Sequence, residues 1–474
     1  KYVCLIVVYL FFLSDPKYLA PAFLFLVLRL WNKRGQIQYT ELDILSITFI
    51  GMVIIFPLKA FQSSFILSFI ISFIWIFMKE FNLSNSRVLK GFQTSLICIF
   101  AVLPFLINQT YQISIMGMLI SFVLGWLFGK YIFPLTLIML VCPSLIYENI
   151  FWALDQGLVF VTRFTFPISM PHISVFGVLI YYILFIYVLI CLTKKTNKYS
   201  LAYIPIYFFI IFSLRLTNPF YRVTFIDVGQ GDSILIELPH EQGNILIDSY
   251  NGTLEYLKSI GMKRLDSVVL SHFDKDHIGT IGDVTKNFEI GTLFYSEYED
   301  ESIIEGLQVN KKIIKKGEIF QVGNVTFEVL GPIQEYSNKN ANSVVLKLNL
   351  ENYSFLFTGD MTVEEEKDLI LKYGEYLDCD VLKVAHHGSK TSSMEEFLNL
   401  VSPMYSIISV GEENAYGLPN LEVVERLQKN STVYMTKDSG NIQITLKKKI
   451  RIKEYRRKNP IGKSCFLNWF FLNR

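Results

Sequence analysis

Over residues 1–216, apolar runs follow one another with only short polar breaks. The clearest are 17–31, 43–58, 61–78, 91–107, 114–129, 131–147, 173–192 and 201–215. Each approaches the roughly 20 apolar residues that carry a helix across a bilayer. The pattern predicts a polytopic α-helical membrane domain over 1–216. A large soluble all-helical core is the alternative, and eight such runs in succession argue against it. Residues 2–13 form a shorter run, suited to a re-entrant or truncated helix. No lone apolar segment precedes a small-residue cleavage site, so this is not a signal peptide before a soluble domain. Residues 148–165 mix Trp152 and Phe160 with scattered polar groups. That texture predicts an interfacial amphipathic helix, or else an imperfect span. Gln93, Ser121 and Gly125 can line a pathway or simply allow close helix packing.

From about 221 the period shortens. Short β-branched runs alternate with turn signals, as in RVTFIDV (222–228), SILIEL (233–238), NILID (244–248), SVVLS (267–271), SVVLKLNL (343–350), YSFLFT (353–358) and DVLKVA (380–385). Helical patterns lie between some of them, at 253–260, 362–373, 393–401 and 420–430. This predicts a soluble α/β domain over 221–446, large enough for its own core. Strands in hairpin-like pairs favour a mixed or antiparallel sandwich over a doubly wound sheet. Residues 447–474 read as a tail. It opens with KKKIRIKEYRRK, eight basic residues against Glu454, and ends SCFLNWFFLNR. The basic run suits a solvated end, or contact with phosphates or anionic lipid. The apolar end suits an interfacial anchor.

Composition adds little to this division. Hydrophobic residues make up 51% and aromatics 15%, but the net charge of +2 averages two unlike halves. The six cysteines (Cys4, Cys98, Cys142, Cys191, Cys379 and Cys465) form no CxxC pair, which argues against a cysteine zinc site or a disulfide framework. The chain opens on Lys1 rather than Met, as a fragment would. Loop charges set an orientation. Lys33 and Arg34, then Lys79, Arg87 and Lys90, then Lys130, then Lys194, Lys195 and Lys198 fall inside by the positive-inside rule. The last span then runs outward and places the C-terminal half on the outer face. Lys17, Lys59 and Arg215 oppose that assignment.

The candidate chemistry lies in two short polar stretches of the second half, which hold His272, His277, His386 and His387 of only six histidines. SHFDKDHIGT places His272, Asp274, Asp276 and His277 directly after a predicted buried strand. In extended backbone His272 and Asp274 point the same way, whereas the adjacent Asp276 and His277 diverge, so the stretch can serve two metal ions. Imidazole nitrogen and carboxylate oxygen both bind divalent cations. Further strands end in Asp248 (NILID), Asp360 (FLFTGD) and His386–His387 (VLKVAHHGS). Gly359 and Gly388 flank the last two, letting another group approach closely. Gln230 and Asp232 in DVGQGDS occupy a Gly-flanked loop, either orienting the site or making a plain hairpin turn.

These motifs resemble the metallo-β-lactamase fold, an α/β sandwich of αββα layers whose signature is HxHxDH followed by a bridging Asp and a terminal His. The resemblance implies metal ligation by His272, Asp274, Asp276, His277, Asp360 and His387, with Asp248 supporting the site. His386 then contacts substrate or supports a ligand, although the two histidines can exchange roles. FIDVGQGDS (225–233) with SHFDKDH, FTGD and VAHHGS is similar to the hydrolase domain of the ComEC family of DNA-internalisation competence proteins. FILSFIISF (65–73) and QISIMGMLISFVL (112–124) loosely resemble its membrane motifs. The family implies a multi-pass cell-membrane protein that takes up DNA as a single strand through a channel, beside other DNA-uptake proteins. It also implies a metal-dependent nuclease that degrades the strand left outside, with Asp276 and His386 as candidates for moving the proton.

Two departures bear on the metal. Asp274 replaces the second signature His, and no His stands between His277 and His386, where Asn342 and Ser343 take the expected position. More oxygen donors make one or two ions of manganese as plausible as zinc, and they argue against a β-lactamase proper. The family's N-terminal DNA-binding region has no counterpart here. The competing functions are a membrane-tethered phosphodiesterase acting on a non-DNA substrate and a transporter with an inactive hydrolase domain.

Overall fold

The computed structural model describes residues 20–35, 38–58, 62–79, 86–141, 146–194, 196–197 and 199–455. The run 2–13, Cys4, Cys142, Cys465 and the apolar end SCFLNWFFLNR lie outside the described residues. Contacts divide the chain into two compact units, with the change between Phe209 and Ile210.

The first unit is helical: α1 (Ala20–Asn32), α2 (Glu41–Ile55), α3 (Ser63–Lys79), α4 (Arg87–Thr110), α5 (Ile115–Leu127), α6 (Phe133–Val141), α7 (Ile146–Thr162), α8 (Val175–Lys194) and α9 (Tyr203–Leu216). Helix α2 starts at a capping box, in which the Asp43 N–H donates to Thr40 Oγ1 and the Thr40 N–H donates to Asp43 Oδ2. Among the described residues, Leu89–Thr110, Ile115–Thr136 and Val175–Lys194 are long and apolar enough to cross a membrane. Large apolar side chains such as Ile54, Phe176, Ile183 and Phe209 point outward, as they do where lipid is the solvent.

Polar groups hold the helices together from inside. Pro104 interrupts α4 and cannot donate to the Phe100 carbonyl four residues earlier. The Tyr181 hydroxyl of α8 donates to that carbonyl instead, and Tyr182 donates to Ala101 O at 2.8 Å. Asn108 closes a two-way pair with the Ile173 backbone, at 2.9 and 2.7 Å. Such bonds join helices where apolar burial cannot.

One sequence expectation changes here. Runs 114–129 and 131–147 do not part at Lys130: a π turn at Phe128–Ile132 carries α5 straight into α6. The break between them needed a polar loop, and GK flanked by Phe128 and Tyr131 is too short and too aromatic to make one. Strands β1 (Gln112–Ile113) and β2 (Ile168–Ser169) pair antiparallel and bring the two ends of this α5–α7 stretch together.

The second unit is built from β3 (Arg222–Phe225), β4 (Ile234–Glu237), β5 (Asn244–Ile247), β6 (Arg264–Leu270), β7 (Glu289–Ser296), β8 (Lys311–Ile314), β9 (Ile319–Val322), β10 (Val325–Gly331), β11 (Val345–Leu350), β12 (Tyr353–Phe357), β13 (Val381–Lys383), β14 (Tyr405–Ile408), β15 (Thr432–Met435), β16 (Asn441–Leu446) and β17 (Ile450–Tyr455). They form an eight-stranded sheet, β17-β16-β3-β4-β5-β6-β7-β8, and a seven-stranded sheet, β15-β14-β13-β12-β11-β10-β9. Both are mixed: β5 to β8 and β12 to β15 run parallel, and the rest antiparallel.

Period-2 side chains decide the layering. Ile234 and Ile236 enter the core between the sheets, with Phe327, Phe355 and Ile444, while Leu235 between them faces outward. Helices cover the outer faces of the parallel halves. α10 (Thr253–Ser259), α11 (Lys275–Ile278) and α12 (Ile281–Asn287) accompany the first sheet, where Leu257 and Val284 join a core with Leu235 and Leu246. α13 (Val363–Tyr373), α14 (Glu395–Val401) and α15 (Leu421–Gln428) cover the second, ahead of the short α16 (Thr436–Ser439). This is the expected αββα sandwich of the metallo-β-lactamase fold.

The expected tail needs correction. IRIKEY pairs residue for residue with β16 as β17, because Ile450 and Ile452 alternate toward the core and leave the basic residues outside. The sheet therefore continues to Tyr455 rather than stopping at 446.

Helix α13 opens with Glu364, Glu365 and Glu366, favourably placed at a helix start. Glu366 accepts the Ser393 and Met394 N–H groups. Glu365 is fully buried, and neither of its carboxylate oxygens has a hydrogen-bond partner. Burial, with Glu366 and Asp368 nearby, pushes its carboxyl well above the usual range. The folded chain thus holds this proton more tightly than the unfolded chain. The stability it contributes is complete at low pH and falls as pH rises through the ordinary carboxylate range toward the raised folded value. Glu365→Gln removes that loss. Urea unfolding of the second unit, whose cores are its own, will show the variant gaining on the parent as pH rises above the ordinary carboxylate range.

Candidate metal centre

Five loops that leave strand ends meet at one rim of the sandwich. The β3–β4 hairpin supplies Asp232, β5 runs into Asp248, β6 into His272–His277, β12 into Asp360, and β13 into His386 and His387. The carboxyl ends of parallel strands are the usual place for a site in such sheets.

Local backbone makes these approaches possible. Gly231 has φ 144°, and a Cβ there would meet Asp276 O at 2.5 Å; the next residue, Asp232, donates its N–H to that same carbonyl at 3.1 Å. Gly359 has φ 49°, and a Cβ would meet Ser343 Cβ at 2.8 Å. Asp248, His386 and His387 also have positive φ (58°, 47° and 53°). That conformation costs non-glycine residues energy and concentrates at functional sites.

The hydrogen bonds fix which nitrogen each imidazole presents. Asp248 accepts from the Ser271 N–H and hydroxyl at 2.7 Å each, and from His277 Nδ1 at 2.9 Å. His387 Nδ1 donates to the Ser409 carbonyl at 2.9 Å. Both rings therefore carry the proton on Nδ1 and turn Nε2 inward. His272 Nδ1 faces the hydroxyls of Ser271 (3.1 Å) and Ser343 (3.3 Å), which leaves its Nε2 for the site.

Inside, His277 Nε2 lies 3.3 Å and His387 Nε2 3.5 Å from Asp360 Oδ2, and His387 Nε2 is 3.4 Å from Asp276 Oδ2. Asp276, His277, Asp360 and His387 thus offer donor atoms all within 4.8 Å of one another. His272 packs against His277 with ring centroids 4.1 Å apart, and its Nε2 is 3.8 Å from Asp274 Oδ2. The Nε2 atoms of His272, His277 and His387 and Asp360 Oδ1 are buried without a hydrogen-bond partner. Orphaned imidazole nitrogens converging on carboxylates are the donor set a divalent cation takes.

Electrostatics follow from burial. Burial alone would lower His277, but the Asp360 and Asp248 carboxylates overcome it and hold the ring well above its usual value. His387 is raised in the same way by Asp360 and Asp276. Burial, with His277 beside it, lowers His272 to about 4. Burial would raise Asp360, yet the His387 and His277 rings keep it well below the carboxylate range.

Other expected residues fall elsewhere. His386 turns away: Nδ1 is 3.0 Å from Thr391 Oγ1 and Nε2 3.3 Å from Asn340 Nδ2, with the ring half-buried at the rim. Asn342 also turns away, bonding the Tyr336 backbone from both ends of its amide. Ser343 does reach the site and accepts the Asp360 N–H at 3.1 Å. The Gln230 loop is a hairpin between β3 and β4, and Gln230 Oε1 accepts the Gly411 N–H at 3.4 Å rather than touching the cluster.

Lys383 was not foreseen. It is fully buried, ion-pairs with Asp232, donates to Gly359 O at 2.8 Å, and stands 3.7 Å from Asp360 Oδ1. Burial would lower it, but Asp232 and Asp360 raise it above the usual lysine value. In VLKVA it looks like one more solvent-facing strand lysine; only the neighbouring Asp-bearing loops make it internal.

Comparisons agree with this architecture. Residues 226–412 match the metallo-beta-lactamase superfamily model and residues 3–195 the competence protein model. ComE operon protein 3 of Bacillus subtilis is 29% identical over 78% of this chain and 52% of its own length. Competence protein ComA of Neisseria gonorrhoeae is 34% identical over 47% of this chain and 32% of its own. The chain thus spans about half the length of the first relative and about a third of the second. The crystal structure of the metallo-beta-lactamase fold protein YhfI from Bacillus subtilis aligns over 48% of this chain and all of that one, at 12% identity and TM-score 0.36. The second unit is thus a metallo-beta-lactamase superfamily domain whose His/Asp cluster points to divalent metal use.

Lys383→Met leaves Asp232 and Asp360 buried without their cation. It will cost the metal-free protein about 3–5 kcal/mol in denaturant unfolding, and adding Asp232→Asn will recover part of that loss.

Proposed function

We propose that this chain, which joins a competence-protein membrane region to a metallo-beta-lactamase superfamily domain, takes part in DNA uptake across the cytoplasmic membrane during natural transformation. In this reading DNA crosses as a single strand, and the second unit cuts the phosphodiester backbone of the strand left outside. The observation that carries the reading is the union, in one chain, of that membrane region with a buried His/Asp cluster fitted to a divalent cation. Lys275, Lys339 and Lys390 support it: each is exposed and within a few residues of a site or rim residue, where a polyanion would meet it.

In this proposal Asp276, His277, Asp360 and His387 hold one cation, with His272 and Asp274 beside them for a second. Three imidazoles with three carboxylates suit manganese or zinc. A bound cation supplies an acidified water and positive charge for the phosphoryl oxygens. The chain does the rest. Asp248 and the Ser409 carbonyl fix His277 and His387, and Lys383 holds Asp232 and Asp360 in place. His386, at the rim, is the remaining imidazole placed to move a proton to or from the reacting groups.

The orientation proposed is outward. The β1–β2 pairing requires an even number of crossings between its strands. With α5 and α6 continuous, the return belongs to α7, which then spans rather than lying in the interface. Lys130 then no longer marks an inside loop, but the number of crossings is unchanged and the remaining basic loops keep the proposed second unit outside.

Two measurements test this. Metal analysis of dialysed protein will show His387→Ala and Asp360→Ala losing most bound metal while His386→Ala keeps it; loss in His386→Ala would reverse the assignment of the pair. Detergent-solubilised full chain, given manganese, zinc or magnesium, will cut single- or double-stranded DNA. Asp276→Ala will lower that rate by about 10–100-fold or more. Faster turnover of a small phosphodiester without preference for DNA would favour the tethered phosphodiesterase, and no cutting with any metal would overturn the nuclease.

A further inference from the structure

The edge of the larger sheet carries basic residues that the metal centre does not use. Thr445 of β16 pairs directly with Arg222 of β3 on one side and Arg451 of β17 on the other, and Gln443 pairs with Lys453. Directly paired residues project from the same face. Arg222, Arg451 and Lys453 therefore share one face, while Val223, Ile444 and Ile452 fill the core on the other. With Lys447 they line an open groove of about 460 Å³. Lys447 Nζ sits 4.3 Å above the Phe220 ring and Lys453 Nζ 4.4 Å above Tyr455. Arg222 has Glu237 opposite it on β4, but Glu237 lies nearer Arg215, at 3.8 Å. Among the described residues, no carboxylate stands within 4.0 Å of Lys447, Arg451 or Lys453.

We propose that this groove binds the headgroup of an anionic phospholipid. Its basic wall complements a phosphate, and Leu214 and Phe220 give it an apolar side. Leu214 belongs to the last turn of the apolar helix α9, and Phe220 follows within a few residues. A cationic pocket at the end of an apolar helix is where headgroups are met. The volume suits one headgroup rather than a nucleic-acid track. DNA is also the poorer occupant by position: Arg222 begins β3, whereas the loop bearing Asp232 leaves the other end of that strand, so the groove does not continue the metal centre.

The test uses the full chain in a neutral detergent, with soluble dioctanoyl phosphatidylglycerol, dioctanoyl phosphatidylcholine, inorganic phosphate and a short single-stranded oligonucleotide as separate probes. Phosphatidylglycerol will bind in preference to phosphatidylcholine and will resist displacement by inorganic phosphate. Arg451→Glu with Lys453→Glu will weaken that binding at least about tenfold, and Arg451→Gln with Lys453→Gln, which removes charge but keeps the strand pairing, will weaken it measurably. Lys286→Glu with Lys312→Glu, the same charge change elsewhere, will leave it intact. The proposal falls if the Gln pair binds like the parent, if both lipids bind equally, if phosphate displaces the lipid, or if the groove variants lose the oligonucleotide and keep the lipid.

Discussion

The second unit depends on one electrostatic constraint: three carboxylates, Asp232, Asp248 and Asp360, are removed almost entirely from water. No fold holds such a group without close compensation. Here it comes from Lys383, from imidazoles raised by the same carboxylates, and from serine hydroxyls and backbone N–H groups. A proton and a divalent cation compete for the inward side of His277 and His387, so the cluster balances its charge in either state. The sandwich serves this balance, because strand ends fixed in two stacked sheets can hold five loops within hydrogen-bond distance where free loops would relax apart.

The same constraint explains what was legible in the sequence. Polar residues placed straight after apolar strands, at Asp248, SHFDKDH and Asp360, do not fit an apolar core and are too grouped to be incidental, so they marked the site. The layers were legible because period-2 runs such as SILIEL name both faces of a strand. Lys383 was not, since a lysine inside a strand carries no local sign of the carboxylates that other segments bring to it. Nor could His386 be told from His387. The two differ only in where a left-handed backbone turn points each ring, one to Ser409 and the other to Thr391. Asn342 failed for the opposite reason. Its position was right for a ligand, but its amide does more for the loop by closing both ends of the Tyr336 backbone than it would at the cluster, where Ser343 already serves.

In the membrane unit the hydrophobic pattern locates helices but not their joints. Lys130 looked like a loop because charge usually marks one. The helix passes through it instead, and Lys130 Nζ settles 4.9 Å over the Trp126 ring and 5.2 Å over Tyr131. An aromatic pair that shelters the charge lets the backbone stay helical, so local chemistry overrides the charge pattern. Pro104 shows the same logic reversed: a residue expected to break a helix is accommodated because Tyr181 supplies the missing donor.

Exposure within the centre bears on how a substrate reaches it. Asp274 and Asp276 are the carboxylates with substantial solvent contact, at 48% and 35%, while their buried partners have at most 4%. An anion coming from solvent therefore meets those two negative charges first. In the metal-free protein they repel it. Once Asp276 is engaged by a cation, the same rim becomes neutral or positive, and the exposed lysines on neighbouring loops add to the attraction rather than being cancelled. Metal loading and the approach of an anion are therefore linked by the charge of one half-exposed carboxylate.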